Sequence, residues 1–467
     1  MQTNAHNVTR RSFLHKTSGA AASLFALPTF ATCDDTASRA WEIAPFRFDV
    51  SPPEGHPLCG GWIKPVVGYD DRLEAIGYVL RGAGAPIVCC AVDWTGLLNS
   101  AHRQWRAALA QAAGTTPERV AVQCVHQHNA PFVCLDSEKL LQQHAPGLHN
   151  VDLSFFERCL EQGAQAVEAA LREPRPVTHV GFSEREVKEV ASNRRIVGDD
   201  GKLITWRGSA SRDPQHQMLP EGLIDPMLKT VAFYHGDEKL AACHYYATHP
   251  MSYYGDGRVC SEFVGLARKR LQAEEPRCTH LYFTGCSGNV AAGKYNNGTP
   301  EARVKLTERM YAAMAESNRG LQPEPLAQVA WATHPVLPPV RESLAADDLL
   351  AAIGDSSGSV ANRIRSSMML AWFRRCEEKV PIMLSALHLN KHAILHLPAE
   401  SFVEYQLRAQ EAAPGRFIAT AAYGDGGPWY IPIKEAYPQG GYEVSVAFCN
   451  PGVDDVLTDG VKSLLRS

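Results

Sequence analysis

Two histidines separated by one residue, His126 and His128, stand where an apolar run, Arg119 to Cys124, gives way to Asn129-Ala130-Pro131. The run reads as a buried strand emerging into a loop. Alternate side chains of a strand share a face, which predicts two imidazoles side by side, about 7 Å apart. Such a pair can present a metal ligand beside a second polar group, and a simple hydrogen-bonded pair carries the same signature. A second strand-like run from Cys243 ends in His249-Pro250. Proline stops the ladder and fixes the exit of the chain, holding the imidazole at the strand's rim. The alternative for His249 is packing on Tyr246. A third run, Ala393 to Leu397, leads through Pro398-Ala399 to Glu400 and a helical pattern. That predicts Glu400 at a helix N-terminus, where the partial positive charge favours a carboxylate; an ordinary cap would look the same. Imidazoles and a carboxylate at the ends of separate elements are donors that a borderline cation such as zinc prefers. Beyond Glu400, the segments Gly424 to Tyr430 and Gly440 to Glu443, with Tyr437 between them, mix glycines with aromatics. They read as site-bearing loops or as a packed surface flap.

The elements that must position these groups alternate in type. Strands are expected at Pro86–Val92, Arg119–Cys124, Thr230–Tyr234, Ala241–Ala247, His280–Thr284, Pro381–Leu389, Ala393–Leu397 and Phe417–Ala421. Helical periodicity covers Arg103–Ala113, Leu153–Leu171, Glu262–Ala273, Pro300–Ala315, Ser401–Ala412 and Val453–Leu465. This alternation predicts an α/β fold with layered mixed sheets and flanking helices in a single large catalytic domain. No internal repeat or low-complexity linker is visible. Gly222–Pro226 and Asp355–Asn362 read as loops.

At 467 residues and 45% hydrophobic content, the chain can bury a large core. The formal charge of −4 offers no basic excess for nucleic acid. No stretch approaches the ~20 apolar residues of a membrane span. The first segment, residues 1–31, reads as a signal peptide. Thr9-Arg10-Arg11-Ser12-Phe13-Leu14 and the short apolar run after Lys16 resemble a twin-arginine export signal. Thr29-Phe30-Ala31 offers a cleavage site, with lipid attachment at Cys33 as the alternative. The twin-arginine export machinery would then be a partner, residues 32–467 the mature chain, and the periplasm or exterior its location. Many of the 13 cysteines lie within apolar runs, and none forms a Cys-x-x-Cys pair. Few or no disulfides are expected, and a thiolate zinc site is excluded.

Together these segments resemble the catalytic domain of the neutral/alkaline non-lysosomal ceramidase family. His126-Gln-His128-Asn-Ala-Pro131 is similar to its His-x-His motif, and Ala247-Thr-His249-Pro250 to its Ala-x-His-Pro segment. Pro398-Ala399-Glu400 resembles its Pro-Gly-Glu, and Asn193-Arg194 its Asn-Arg pair. Tyr430 and Tyr442 keep the twelve-residue interval of two family tyrosines. The resemblance implies one zinc ion (Zn2+) held by His126, His249, Glu400 and Tyr430, with His128, Arg194 and Tyr442 around a scissile carbonyl. The implied substrate is a small-molecule or lipid amide, reached by transient contact with a membrane surface; Tyr253-Tyr254 and Trp429-Tyr430 are the aromatic segments available for that contact. Two departures stand out. Ala291 occupies the position of a family serine, with Ser287 displaced by four residues. The family's C-terminal immunoglobulin-like domain is not expected after the final helix. Two rival motifs share this stretch. Gly288 to Lys294 approximates a phosphate loop, but Tyr295 stands where Ser or Thr is needed. Gly285-Cys-Ser287-Gly-Asn289 approximates a serine-hydrolase elbow without its last glycine. A hydrolase of a different amide or ester on the same zinc site, and a non-catalytic binding protein, are the remaining alternatives.

Overall fold

Three sheets are built by the same local device. In each, an antiparallel hairpin is followed by a helix that returns the chain to a strand parallel to the hairpin's second arm. In the first sheet, Glu74–Gly82 and Gly84–Val92 form the hairpin and helix Ser100–Ala113 leads to Val120–Cys124. In the second, Met227–His235 and Glu238–Tyr246 are followed by helix Glu262–Glu274 and Thr279–Thr284. In the third, Ile382–Leu389 and His392–His396 are followed by helix Val403–Glu411 and Ile418–Ala421. Trp41–Asp49 and Arg175–Val177 extend the first sheet, His179–Glu186 and Gln322–Pro325 the second, and Val329–Val336 the third. The threefold repetition was invisible as a sequence repeat, because it resides in pairing pattern rather than residue identity. The computed structural model describes residues 41–82 and 84–466, which form one compact unit. The segment read as an export signal, the expected cleavage site and Cys33 lie outside the described residues.

The sheets are mixed and flanked by helices, as the alternating pattern predicted. Their apolar runs are continuous because both faces are covered. In the first sheet Val88, Cys90 and Val92 point to an outer core with Trp94, Trp105 and Phe156. Ile87, Cys89 and Ala91 point to an inner core shared with Phe233 and Cys243 of the second sheet and Leu387 and Ile394 of the third. Ring contact between Tyr78 and Phe233, at 5.3 Å between centroids, joins the first two sheets there.

Helix ends follow ordinary capping chemistry. Asp152 accepts hydrogen bonds from the Ser154 and Phe155 N–H groups at the start of Leu153–Ala170. Gly114, at φ 66°, ends the helix before it in a left-handed turn. Two boundaries differ from expectation. The stretch Asp355–Asn362 is a loop only to Ser359, whose hydroxyl caps helix Val360–Glu377. That helix escapes the periodic pattern because Ser367 and Arg375 lie on its buried side. The helix expected from Ser401 begins at Val403, and Glu400–Ser401 instead pairs in parallel with Tyr430–Ile431. Glu400 is therefore not in a first helical turn; a short strand pair holds its backbone.

The twelve described cysteines are free thiols, and all but Cys376 are buried. Among the described residues, no helix is long and apolar enough to cross a membrane.

Candidate metal centre

The three units deliver their polar groups from the C-terminal ends of their strands, where open α/β sheets form crevices. From the first unit, His126 follows Val120–Cys124 but does not continue its geometry. Its φ of 75° is left-handed, a conformation uncommon for a residue with a side chain. The strand-face expectation of about 7 Å is overturned accordingly: the kink swings the rings together, edge to face, with the Nε2 atoms 3.3 Å apart. From the second unit, His249 is fully buried, and its backbone bridges to Ala291. The third unit supplies Glu400, after Ala399 at φ 51°. That angle explains why a glycine would serve at position 399.

The donor atoms converge. His249 Nε2 lies 3.2 Å from His126 Nε2, and Glu400 Oε2 lies 3.1 Å from His249 Nε2 and 3.3 Å from His126 Nε2. Ligands 2.0–2.1 Å from a tetrahedral zinc would be about 3.3 Å from each other. His126 Nδ1 donates to Thr95 O and His249 Nδ1 to Ser287 O, each at 2.7 Å. A carbonyl only accepts, so both rings keep their proton outside and turn an Nε2 lone pair inward. Burial pushes His249 down to about 4 and, with His126 and His249 beside it, His128 well below its ordinary range. Burial alone would raise the Glu400 carboxyl, and positive charge on the His126 and His249 side outweighs it and holds the group well below the usual range; with both Nε2 atoms unprotonated, a bound cation is what would supply that charge. Lone pairs and a buried anion facing one another at hydrogen-bond distance lack a cation, and this nitrogen–oxygen set fits zinc. His126, His128 and His249 form a group able to hold a metal ion.

Around this centre lies a cavity of about 460 Å³. Six of the seven residues singled out from the sequence line it: His126, His128, Arg194, Glu400, Tyr430 and Tyr442. His249 stands behind them. Arg194 Nη1 donates to Tyr430 Oη at 3.1 Å, and its guanidinium lies against the rings of Trp206, Tyr442 and Tyr430. Burial works against the Arg194 charge, yet Tyr430, Glu443 and Tyr442 outweigh it and raise its pKa above the ordinary value. Burial and the Glu400 charge push the Tyr430 phenol well above its usual range. Glu443 anchors this wall: it lies 3.2 Å from Arg194 Nε, 3.2 Å from Arg195 Nη1, and accepts from Trp206 Nε1 at 2.7 Å.

Two neighbours were not legible in the sequence: Tyr423 stacks on His126 with centroids 4.2 Å apart, and Cys59 Sγ lies 3.5 Å from His128 Nδ1. Tyr254, singled out from the sequence for another role, meets His128 edge-on at 5.6 Å. Nothing in the local pattern around Cys59 or Tyr423 distinguishes them from core residues. Of the aromatic segments proposed for membrane contact, Tyr254 is exposed whereas Trp429 and Tyr430 are buried. Trp429 and Tyr430 therefore belong to the interior of the site rather than its rim.

The rival motifs lack their geometry. Ser287 Oγ bonds the Tyr423 hydroxyl at 2.7 Å rather than a histidine, and the chain after it forms a short strand, Val290–Ala291, instead of a helix. Lys294 Nζ donates to Gln217 O and Leu219 O, carbonyls that occupy the amine a phosphate loop would need. Ala291 is fully buried, and its methyl side chain offers no hydroxyl at that position.

Fold and centre together define a layered α/β protein with a histidine–carboxylate cluster able to hold a metal ion. No protein-family model matches the sequence, and no curated protein matches it. Among solved structures, the chain is similar to neutral ceramidase from Pseudomonas aeruginosa, with a TM-score of 0.68 and 16% identity over 92% of this chain and 75% of that one. It is equally similar to a ceramidase complexed with C2, with a TM-score of 0.68 and 15% identity over 92% of this chain and 76% of that one. The chain has the neutral ceramidase fold.

Proposed function

We propose that this protein is an exported, zinc-dependent amidohydrolase that cleaves an N-acyl amide, ceramide or a related N-acyl lipid. The observation that carries the reading is the meeting of His126, His249 and Glu400 donor atoms within 3.1–3.3 Å at the wall of a cavity in the neutral ceramidase fold. His126, His249, Glu400 and Tyr430 would hold the ion. When bound, zinc supplies Lewis acidity towards a carbonyl and lowers the pKa of a coordinated water towards about 7.

The chain's own residues account for the remaining work. Arg194, held cationic beside Tyr430 and Tyr442, is placed to stabilise negative charge developing on a carbonyl oxygen. His128 and Tyr442 face the same space and can donate hydrogen bonds to that oxygen or to the departing nitrogen. Trp62 and Tyr254 combine apolar lining with an exposed edge, which suits a lipid entering from a membrane surface. Ala291, in place of the family serine, favours a route that uses no serine nucleophile and keeps other N-acyl compounds alongside ceramide. Export by the twin-arginine machinery, to the periplasm or exterior, belongs to the same proposal and rests on Arg10-Arg11-Ser12-Phe13-Leu14.

The test is metal analysis paired with hydrolysis of a fluorogenic N-acyl sphingosine and a panel of shorter N-acyl amides. His249→Ala is expected to lose both bound zinc and hydrolysis, the latter by at least about 10²-fold. Full activity in a chelated, metal-free preparation would refute the mechanism. Bound zinc with no turnover on any amide would leave a metal-binding protein without this activity.

A further inference from the structure

The three histidines of the centre are oriented by different kinds of partner. His126 and His249 each give their Nδ1 proton to a backbone carbonyl, which obliges their Nε2 atoms to face inward as lone pairs. His128 has a thiol at its Nδ1, Sγ of Cys59 at 3.5 Å. A thiol can donate where a carbonyl cannot.

We infer that Cys59 is a positioning residue whose S–H donates to His128 Nδ1, fixing the ring's proton on Nε2, the nitrogen that lies 3.3 Å from His126 Nε2 at the edge of the centre. His128 is then a hydrogen-bond donor to a bound molecule, while His126 and His249 remain ligands. The division of labour between chemically identical side chains is thus set by what each Nδ1 touches.

The local backbone is arranged to aim this thiol. Cys59 is buried and takes φ 45°, followed by Gly60 at 62° and Gly61 at 80°. A residue with a side chain rarely adopts this left-handed conformation, so the surroundings must hold it. They do: Cys59 N donates to Ala130 O at 2.9 Å, tying its loop to the segment that carries His128. Both residues line the same cavity.

The inference rests on the metal-centre reading for what His128 faces, but its test separates the two. Ring-nitrogen NMR of protein labelled with ¹⁵N-histidine, in zinc-loaded and metal-free forms, reads which nitrogen carries the proton. The His128 signals are assigned by their loss in His128→Gln. The wild type and Cys59→Ser should show the proton on Nε2, whereas Cys59→Ala should shift it wholly or partly to Nδ1. Zinc content should be the same in all three. Turnover of the best amide should fall about 10–100-fold in kcat for Cys59→Ala with KM little changed, and return in Cys59→Ser. A His128 proton on Nδ1 in the wild type would overturn the inference, as would a Cys59→Ala spectrum identical to the wild type. Failure of the wild type to bind zinc would overturn the metal reading, and the metal-free spectra would still decide this one.

Discussion

Glu400 lies against Gly288, and that contact leaves no space for a side chain. A β-carbon at position 288 would come within 2.2 Å of the Glu400 carbonyl oxygen. Because that clash is with backbone, a rotamer change cannot relieve it. Gly288→Ala is expected to displace Glu400 and lower zinc affinity about 10–100-fold, with the fold retained. Calorimetric zinc titration beside far-ultraviolet circular dichroism would measure both; unchanged affinity would show that the carboxylate does not depend on this packing. The neighbouring residues His126, Ala399, Tyr423 and Trp429 all have positive φ. Such conformations cluster where a scaffold over-determines its functional groups. None was expected from the sequence, since these residue types do not announce left-handed backbone.

At the scale of elements, the loop and short helix around Tyr442 depend on one carboxylate. Glu443 is fully buried and serves Arg194, Arg195 and Trp206 together. Removing one member of a buried ionic network costs about 3–5 kcal/mol, because its partners are left unpaired. Glu443→Gln should therefore loosen the Arg194 wall, lowering kcat at least about tenfold. Urea unfolding should show a destabilised protein that still binds zinc, since the three metal-facing strand ends are untouched. Loss of zinc in this variant would contradict the separation of wall from centre. The sequence left Gly440 to Glu443 as a site-bearing loop or a packed surface flap, and the family resemblance assigned the chemistry there to Tyr442 alone. Carboxylate and arginines are far apart in the chain, and their pairing is a product of folding.

Across the whole molecule, buried neutral histidines link stability to pH. His102 donates from Nε2 to Val122 O at 3.0 Å, close to the Arg375–Asp425 pair, and burial lowers its pKa to about 4. Burial lowers His56 to about 4 and His396 to about 3. In the unfolded chain a histidine takes up its proton near 6.5. Between that value and the folded one, the unfolded state binds more protons, so stability is complete above about 6.5 and is lost as pH falls. For His102 the loss reaches about 3 kcal/mol near pH 4. Urea midpoints measured from pH 7 to 4.5 should fall steadily, and His102→Gln should flatten that slope. An unchanged slope in the variant would mean that His102 does not remain neutral in the fold.

The strand at Val120–Cys124, the helices that follow each hairpin, and the donor types at His126, His249 and Glu400 were all determined by sequence. Periodicity, proline and glycine act over a few residues, which is the range that a linear reading can resolve. Tertiary structure alone decided the convergence of the donors to within 3.1–3.3 Å, because three sheets must pack on one inner core before their strand ends meet. It also decided that His126 kinks away from strand geometry, that Glu400 joins Tyr430 instead of a helix, and that Cys59 reaches His128. Each of these depends on contacts between residues remote in the chain, whose pairing energy no local pattern encodes.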